Sequence, residues 1–449
     1  MNQNLKPVTS EHHPKVSVNP KALSIPPITW LVLAICWFVM FAEGYDLGIY
    51  GAVLPSLMEY KEWSLSPAQA GAIGSYALIG MLVGAVLVGT ITDMIGRKKV
   101  MIFCITLFSV MMLLASMAPS AELFGLYRFI AGIGCGGIIP TASALTIEYA
   151  PAKRRSMMYA IMYTGYCFGG VMGALLSMYF LQDFGWRLMI LIGALPILVV
   201  PFIIKFLPES IGFLMTKKRY TEAEKIANRH NISMESLNEF KSDKESETKN
   251  KFNAVATLFS KQNVRATVFF WITFFMGLFM IYGLATWLPK MMREAGYPLG
   301  SSISFLFMLN FSAALGALLA GAAADRWGSK KVISLSYLLA AISIALLSLK
   351  PSSIVVVYGL VGIAGFGTIG TTLILNAYIS KYFSAENRAT ALGWALGFGR
   401  IGAIIGPILG GLFMTWKLDL SWNFYVFAIA AILASLSVLL IPKNIGGKI

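Results

Sequence analysis

The chain has 449 residues, 57% of them apolar and only 13% charged, with a formal net charge of +15. A globular domain runs nearer to about 45–50% apolar and about 25% charged, so a soluble globular protein is excluded. Windows of about 20 residues with few or no charges recur along the sequence, each long enough to cross about 30 Å of hydrocarbon.

Taken in chain order, residues 1–27 are polar, include His12, His13, Pro20, Pro26 and Pro27, and lack an apolar core. They read as a cytoplasmic tail and not as a cleaved signal peptide. Twelve spans are then predicted at roughly 28–50, 67–91, 100–118, 121–147, 156–180, 186–207, 266–288, 300–324, 332–349, 353–378, 388–414 and 421–441. The one long polar interval, 214–265, is rich in Lys, Glu, Ser and Asn and separates six spans from six. Its amphipathic piece from Tyr220 to His230 predicts a surface helix on an inner linker. The expected organisation is an N-terminal tail (1–27), a six-helix bundle (28–213), the linker (214–265), a second six-helix bundle (266–441) and a C-terminal tail (442–449). This is an all-α membrane protein with twelve transmembrane helices in two six-helix halves.

The basic balance is a topology signal. With the N-terminus inside, only Lys61, Arg187, Lys290, Arg293, Lys350 and Lys417 fall in outer loops, and Arg128 and Arg400 lie within spans. The rest of the 36 Lys and Arg lie on the inner side, which orients a multi-pass protein of the bacterial inner (plasma) membrane with both termini cytoplasmic. No nucleic-acid partner is expected, and the unit is expected to be a monomer.

Cys36, Cys104, Cys135 and Cys167 all fall within spans and read as small buried apolar side chains, with no metal site expected. Gly132-Ile133-Gly134-Cys135-Gly136-Gly137 in span four and Gly365-Phe366-Gly367-Thr368-Ile369-Gly370 in span ten both match G-x-G-x-x-G. A dinucleotide site with that pattern follows a strand and opens a helix. Here close approach of helices explains the glycines better, and no cofactor is expected. The absence of a G-x-x-x-x-G-K-[ST] loop argues against an ATP-driven pump.

A charged turn occurs twice. Gly89 to Lys99 and Gly321 to Lys331 both read G-x-x-x-D-x-x-G-[RS]-K-K, at matching places in the two halves, the mark of a duplicated membrane bundle. The glycine permits a tight reversal, and the basic residues hold the loop inside. Asp93 or Asp325 can approach a neighbouring helix N-terminus, where a negative charge is favoured by roughly 0.3–1 kcal/mol. Each is either a gate latch that lets go as the halves rock or simply a cap for the loop.

With this turn on the page, the chain resembles the major facilitator superfamily, whose marker loop joins spans two and three. Arg128 with the glycines of span four, the Gly-rich stretch from Gly165 to Gly173 and Leu207-Pro208-Glu209-Ser210 fit the same resemblance. Glu43-Gly44-Tyr45-Asp46, followed by Leu54-Pro55, is similar to the D-G-x-D of the aromatic acid:proton symporter family, with Glu in place of the first Asp. Gly399-Arg400-Ile401-Gly402 resembles that family's membrane-embedded arginine. Glu148 and Arg388 match its charged positions near the inner ends of spans four and eleven. The resemblance implies gating roles for Asp93, Arg97, Glu148, Asp325 and Arg388, and benzoate carriers are the nearest likeness within the family.

Independently of any resemblance, ionisable groups inside spans cost at least about 2.5–3.5 kcal/mol each and usually face a cavity or one another. Well inside the spans are only Glu43, Asp46, Arg128 and Arg400, two negative and two positive. At about 1.5 Å per residue, Glu43 lies about 22 Å from the inner end of its span and Asp46 about 27 Å. Arg128, about 10 Å from the outer end, is level with Glu43, and Arg400 sits near the midplane at about 18 Å. With all four ionised the cluster is neutral. Protonating one carboxylate leaves an excess positive charge that an anionic substrate can cancel, and the planar fork of Arg400 suits a carboxylate. No histidine lies in a span, so protons fall to Asp46 or Glu43; the expectation is that Asp46 carries the proton while Arg128 holds Glu43. The alternative is a set of fixed salt bridges.

Tyr76, Tyr163, Tyr166, Tyr282, Trp287, Asn310 and Trp394 are candidates to shape a site for a flat ring, each set against ordinary packing or an interface belt. With Arg400, the expected substrate contacts are Tyr166, Trp394, Tyr282 and Asn310. The leading expectation is a proton-coupled importer of small aromatic carboxylates working by alternating access. A sugar or polyol carrier and a drug:proton antiporter are the alternatives within transporters. A membrane enzyme needs a nucleophile–base pair or metal-spaced ligands in the spans, and neither is present.

Overall fold

The computed structural model describes residues 25–151, 154–229, 251–367, 369–416 and 418–442; the remainder of both tails and residues 230–250 of the linker lie outside the described residues. Within a bilayer every backbone N–H and C=O must find its partner inside the segment, which forces apolar spans into helices. Among the described residues there are helices and no strands. They are α1 (Pro27–Glu59), α2 (Pro67–Ile95), α3 (Arg97–Ser116), α4 (Ala121–Tyr149), α5 (Arg155–Ile192), a 3-10 turn (Leu195–Val199), α6 (Val200–Phe206), α7 (Ile211–Thr216), α8 (Tyr220–Arg229) and α9 (Lys251–Leu258). The second half contributes α10 (Val264–Glu294), α11 (Leu299–Trp327), α12 (Ser329–Leu347), α13 (Ile354–Phe366), α14 (Ile369–Tyr382), α15 (Ala385–Thr415) and α16 (Leu420–Leu440).

Among the described residues, eleven stretches are long and apolar enough to cross a membrane, with α13 and α14 counted together. The sixth crossing is present in pieces. The α5 helix breaks at Gly185 (φ 73°, ψ 174°), which separates span five from residues 186–192. The 3-10 turn and α6 then complete the passage. Pro196 and Pro201 account for the interruption, because neither has an N–H to give the helix and each ring crowds a preceding carbonyl. The amphipathic stretch of the linker forms α8, with Ala223 and Ala227 on its buried side.

Both charged turns pivot on a glycine in the left-handed region, Gly96 at φ 102° and Gly328 at φ 87°, where a side chain is disfavoured. The following lysines act alike. Lys98 Nζ donates to the Ile204 carbonyl at 2.7 Å, and Lys330 Nζ donates to the Ile441 carbonyl at 2.6 Å. Each lysine therefore ties the start of the third helix of its half to the end of the sixth.

Small residues set the helix spacing. Any Cβ at Gly132 would run into the Ala77 carbonyl, and one at Gly80 into that of Phe129, so α2 and α4 pack backbone to backbone. The G-x-G-x-x-G of span four is thus a packing seam. Gly402 and Gly406 seat α15 on the Phe275 and Phe279 carbonyls of α10 in the same way.

The halves meet through α2 on α15, α5 on α11 and α1 on α10. Many of the described contacts between them gather on the face opposite the one where α1 begins. Ser75 donates to the Ile404 carbonyl at 2.6 Å, the Ala68 N–H donates to Thr415 Oγ1 at 3.1 Å, and Arg293 pairs with Glu59 at 2.6 Å. Gly51 abuts Ala285, and Gly71 abuts Pro407. Toward the other face, a Cβ at Gly393 or Gly397 would meet open space.

Gly132→Leu is expected to destabilise the fold by about 1–3 kcal/mol through overpacking, whereas Gly359→Leu, at an open position, should be neutral. Thermal unfolding of the two detergent-solubilised variants, run side by side, checks this.

Candidate functional site

The site begins with α1. Gly44 and Gly48 bring α1 against the backbone of α5 at Tyr166 and Gly170. Glu43 and Asp46 are then 0% and 1% exposed. Arg128 of α4, 1% exposed, forms an ion pair with the Asp46 carboxylate and lies over the Tyr50 ring at 5.3 Å. The Tyr50 hydroxyl donates to the Ala70 carbonyl.

This pairing corrects the sequence expectation, which gave Glu43 to Arg128. Side chains tilt toward the N-terminus of their own helix. Because α1 and α4 run in opposite directions, Arg128 leans toward Asp46 while Glu43 leans away from it. Equal Cα depth therefore does not make a contact. Glu43 is left buried with neither carboxylate oxygen hydrogen-bonded among the described residues. The charges that act on it are that of Arg400 and, with like sign, that of Asp46.

Arg400 is placed by its neighbours. Gly399 and Gly402 press α15 onto α10, and Arg400 projects about 100° around the helix from Gly399 and about 160° from Gly402, so it points away from that seam. Arg400 as a residue is half-buried, and its Nη1 lies 4.0 Å from Met81 Sδ. Its electrostatic neighbours are Tyr282, Glu43, Tyr163 and Tyr166. The Tyr166 hydroxyl donates to that of Tyr282 at 3.3 Å across the two halves. One cavity, lined in part by Tyr50, Arg128, Tyr166, Tyr282 and Asn310, lies on one side of this pair. A second, lined by Tyr163, Tyr166, Leu278, Ile281, Tyr282, Thr372 and Leu373, lies on the other.

Of the expected substrate contacts, Tyr166 and Tyr282 therefore come together with Arg400 in the centre, while Asn310 shares only the first cavity with them. Trp394 does not join them. It is 46% exposed and stacks on Trp271 with ring centroids 5.7 Å apart. Six residues from Arg400, it stands about 120° away around the helix. Trp287 is a core residue, fully buried with Nε1 donating to the Pro407 carbonyl at 2.8 Å. Tyr76 is partly exposed. Tyr50, which the sequence reading passed over, is four residues after Asp46 and so on its helical face. Leu278, Ile281, Thr372 and Leu373 carry no sequence signal that separates them from ordinary packing.

The gating candidates divide between the halves. Arg97 is buried, pairs with Glu148 at 3.3 Å and donates to Ser210 Oγ. Glu209 Oε1 accepts from the Lys98 and Ser210 N–H groups at 3.0 and 2.9 Å. In the second copy Ser329 stands where Arg97 stands in the first, and the buried ion pair has no counterpart among the described residues. Asp325 instead lies 3.9 Å from Lys381, both well exposed. Arg388 is exposed at the start of α15, and the Asp93 side chain lies outside the described residues.

Two bundles of equivalent helices closed at one face, with four charged side chains gathered at the centre, define a multi-pass membrane transporter. The model of the Major Facilitator Superfamily matches residues 36–313 and 299–446. The chain is 40% identical to the benzoate transport protein of Acinetobacter baylyi, over 93% of this chain and 90% of that one. It is 34% identical to the gentisate transporter of Corynebacterium glutamicum, covering 94% and 90% of the two chains. Among solved structures, the inward open conformation of the xylose transporter XylE from E. coli superposes with a TM-score of 0.73 at 18% identity, covering 93% of this chain and 97% of that one. The chain belongs to the major facilitator superfamily, and it is a transporter and not an enzyme. The XylE likeness is one of fold, and the resemblance to aromatic-acid carriers extends over nearly the whole length.

Removing one partner of the buried Asp46–Arg128 pair leaves an uncompensated charge, at a cost of about 3–5 kcal/mol. Arg128→Met and Asp46→Leu are each expected to lower the unfolding temperature of the purified protein markedly. The double variant should recover much of the loss, and additive losses would show that the pair does not stabilise as a unit.

Proposed function

We propose that this transporter is a proton-coupled symporter that imports small aromatic carboxylates, of benzoate or hydroxybenzoate type, across the bacterial plasma membrane, with both termini cytoplasmic. The unit is a monomer whose two six-helix halves, 28–213 and 266–441, rock about the central cluster while 214–265 links them inside. The names of the relatives support the substrate class. The observation that carries the mechanism is the unpartnered Glu43 beside a partly accessible Arg400.

The Asp46–Arg128 pair is neutral in itself and stays so. What remains is one carboxylate and one guanidinium that do not share a hydrogen bond. An ionised carboxylate with no donor is costly to bury, and that cost is relieved by a proton or by a closer cation. When Glu43 takes a proton, the charge of Arg400 loses its counter-charge, and a substrate carboxylate restores the balance through the bidentate geometry that Arg offers. When the substrate leaves toward the cytoplasm, Arg400 is again bare and Glu43 releases its proton to match it. Proton and anion therefore move together. In this cycle Glu43, not Asp46, is the proton site. Asp46 and Arg128 hold the frame, Tyr166 and Tyr282 border the substrate, and Asn310 lines the cavity on the other side of that tyrosine pair.

Alternating access then needs the closed face to part and the open face to shut. The Glu59–Arg293 pair and the α2–α15 contacts part on one side, while the Arg97–Glu148 brace and the turns bearing Asp93 and Asp325, with Arg388, act on the other. A sugar has no counter-charge for Arg400, which sets the carbohydrate reading second.

Labelled benzoate uptake into proteoliposomes under an imposed pH gradient tests the scheme. Arg400→Ala is expected to lose uptake at least about tenfold while still inserting, since a charge-assisted bidentate contact is among the stronger hydrogen bonds. Glu43→Gln should lose gradient-driven accumulation yet keep benzoate exchange at equal pH. Normal accumulation by Glu43→Gln would remove it as the proton site.

A further inference from the structure

Resting on that reading and narrowing it, we propose that the chamber beside Arg400 favours aromatic acids whose ring carries no hydroxyl over hydroxylated ones, with Leu373 and Ile281 as specificity-determining residues. The second cavity has two kinds of lining. Its phenols, Tyr163, Tyr166 and Tyr282, are the neighbours on which Arg400 acts. A carboxylate held by Arg400 sits among them and recruits their O–H groups, because an anion is a stronger acceptor than a second phenol. The rest of the wall is Leu278, Ile281, Leu373 and Thr372.

Thr372 alone among these four has a hydroxyl, and it is already engaged. It hydrogen-bonds Tyr337, which is 1% exposed and packed over Gly277. Among the described residues that line this chamber there is no Asn, Gln, Asp, Glu, His or Ser. Asn310 borders the other cavity, and its Nδ2 donates to the Leu306 carbonyl at 2.9 Å. A ring hydroxyl directed at Leu278, Ile281 and Leu373 therefore leaves water and meets side-chain carbon. Burying a hydroxyl without a partner weakens binding by roughly ten- to a hundredfold. A methyl group of similar size loses nothing by the same move and gains apolar contact.

The pair of 4-methylbenzoate and 4-hydroxybenzoate separates polarity from size. In proteoliposomes carrying the full chain, each would compete against labelled benzoate, with 3,4,5-trihydroxybenzoate as a third competitor. The expected order is 4-methylbenzoate within about threefold of benzoate, 4-hydroxybenzoate at least about tenfold weaker, and the trihydroxy acid weaker still. Leu373→Asn and, separately, Ile281→Thr should narrow the gap between the methyl and hydroxy competitors, each compared within its own variant so that a lower expression level cancels. Equal competition by 4-methyl- and 4-hydroxybenzoate in the unmodified protein overturns the inference while leaving aromatic-acid symport intact. Absence of uptake for every benzoate overturns the symport reading and this inference with it.

Discussion

The pairing of Asp46 with Arg128 is the interaction on which the rest of the centre depends. Four charges in an apolar bundle have few stable arrangements. Pairing both anions with both cations would neutralise everything and leave nothing for a ligand to do. Here one pair closes completely, supported by the Tyr50 ring beneath the guanidinium, and the other two charges stay apart. The closed pair fixes α1 against α4, so Glu43 is held in place without being satisfied. On the proposed cycle the unsatisfied half of the cluster exchanges partners, while the satisfied half keeps the helices in register.

That division of labour needs rigid helices at close spacing, and glycine supplies it. The seams of α2 with α4 and of α10 with α15 put carbonyl oxygens where any side chain would collide. The second seam also aims Arg400, because seating Gly399 and Gly402 on α10 turns the residue between them away from that contact. Trp394 lies outside that arc and stacks on Trp271 instead. On the proposed reading, the substrate meets a fixed rim of side chains and not a pliable one, and discrimination follows from what that rim lacks.

How much of this was legible beforehand depends on what kind of signal each feature leaves. Span count and duplication follow from apolar length and from the two copies of the charged turn, and the pivoting glycines sit where the pattern puts them. The fragmented sixth crossing was foreshadowed by Pro196 and Pro201, yet apolar composition alone reads it as one helix. The four buried charges stand out because a bilayer makes them costly wherever they occur. Their pairing was misread because a depth count treats side chains as perpendicular to the helix, whereas Arg128 and Glu43 lean in opposite directions on antiparallel helices. Tyr50 was recoverable from its spacing to Asp46. Leu278, Ile281 and Leu373 were not, since a leucine facing a cavity and a leucine facing a neighbour look alike in a sequence.

The two charged turns descend from one pattern but no longer respond alike to their surroundings. The ionic contact of Arg97 is shielded from solvent, whereas Asp325 and Lys381 face each other across open space. Mobile ions screen charges in water over a Debye length of about 8 Å at physiological strength and do little to buried ones. The same face of the protein therefore carries one fastening indifferent to the electrolyte and one that loosens with it. A duplicated machine has in this way a stiff side, braced by Arg97, and a tunable side, where serine stands in the arginine's place.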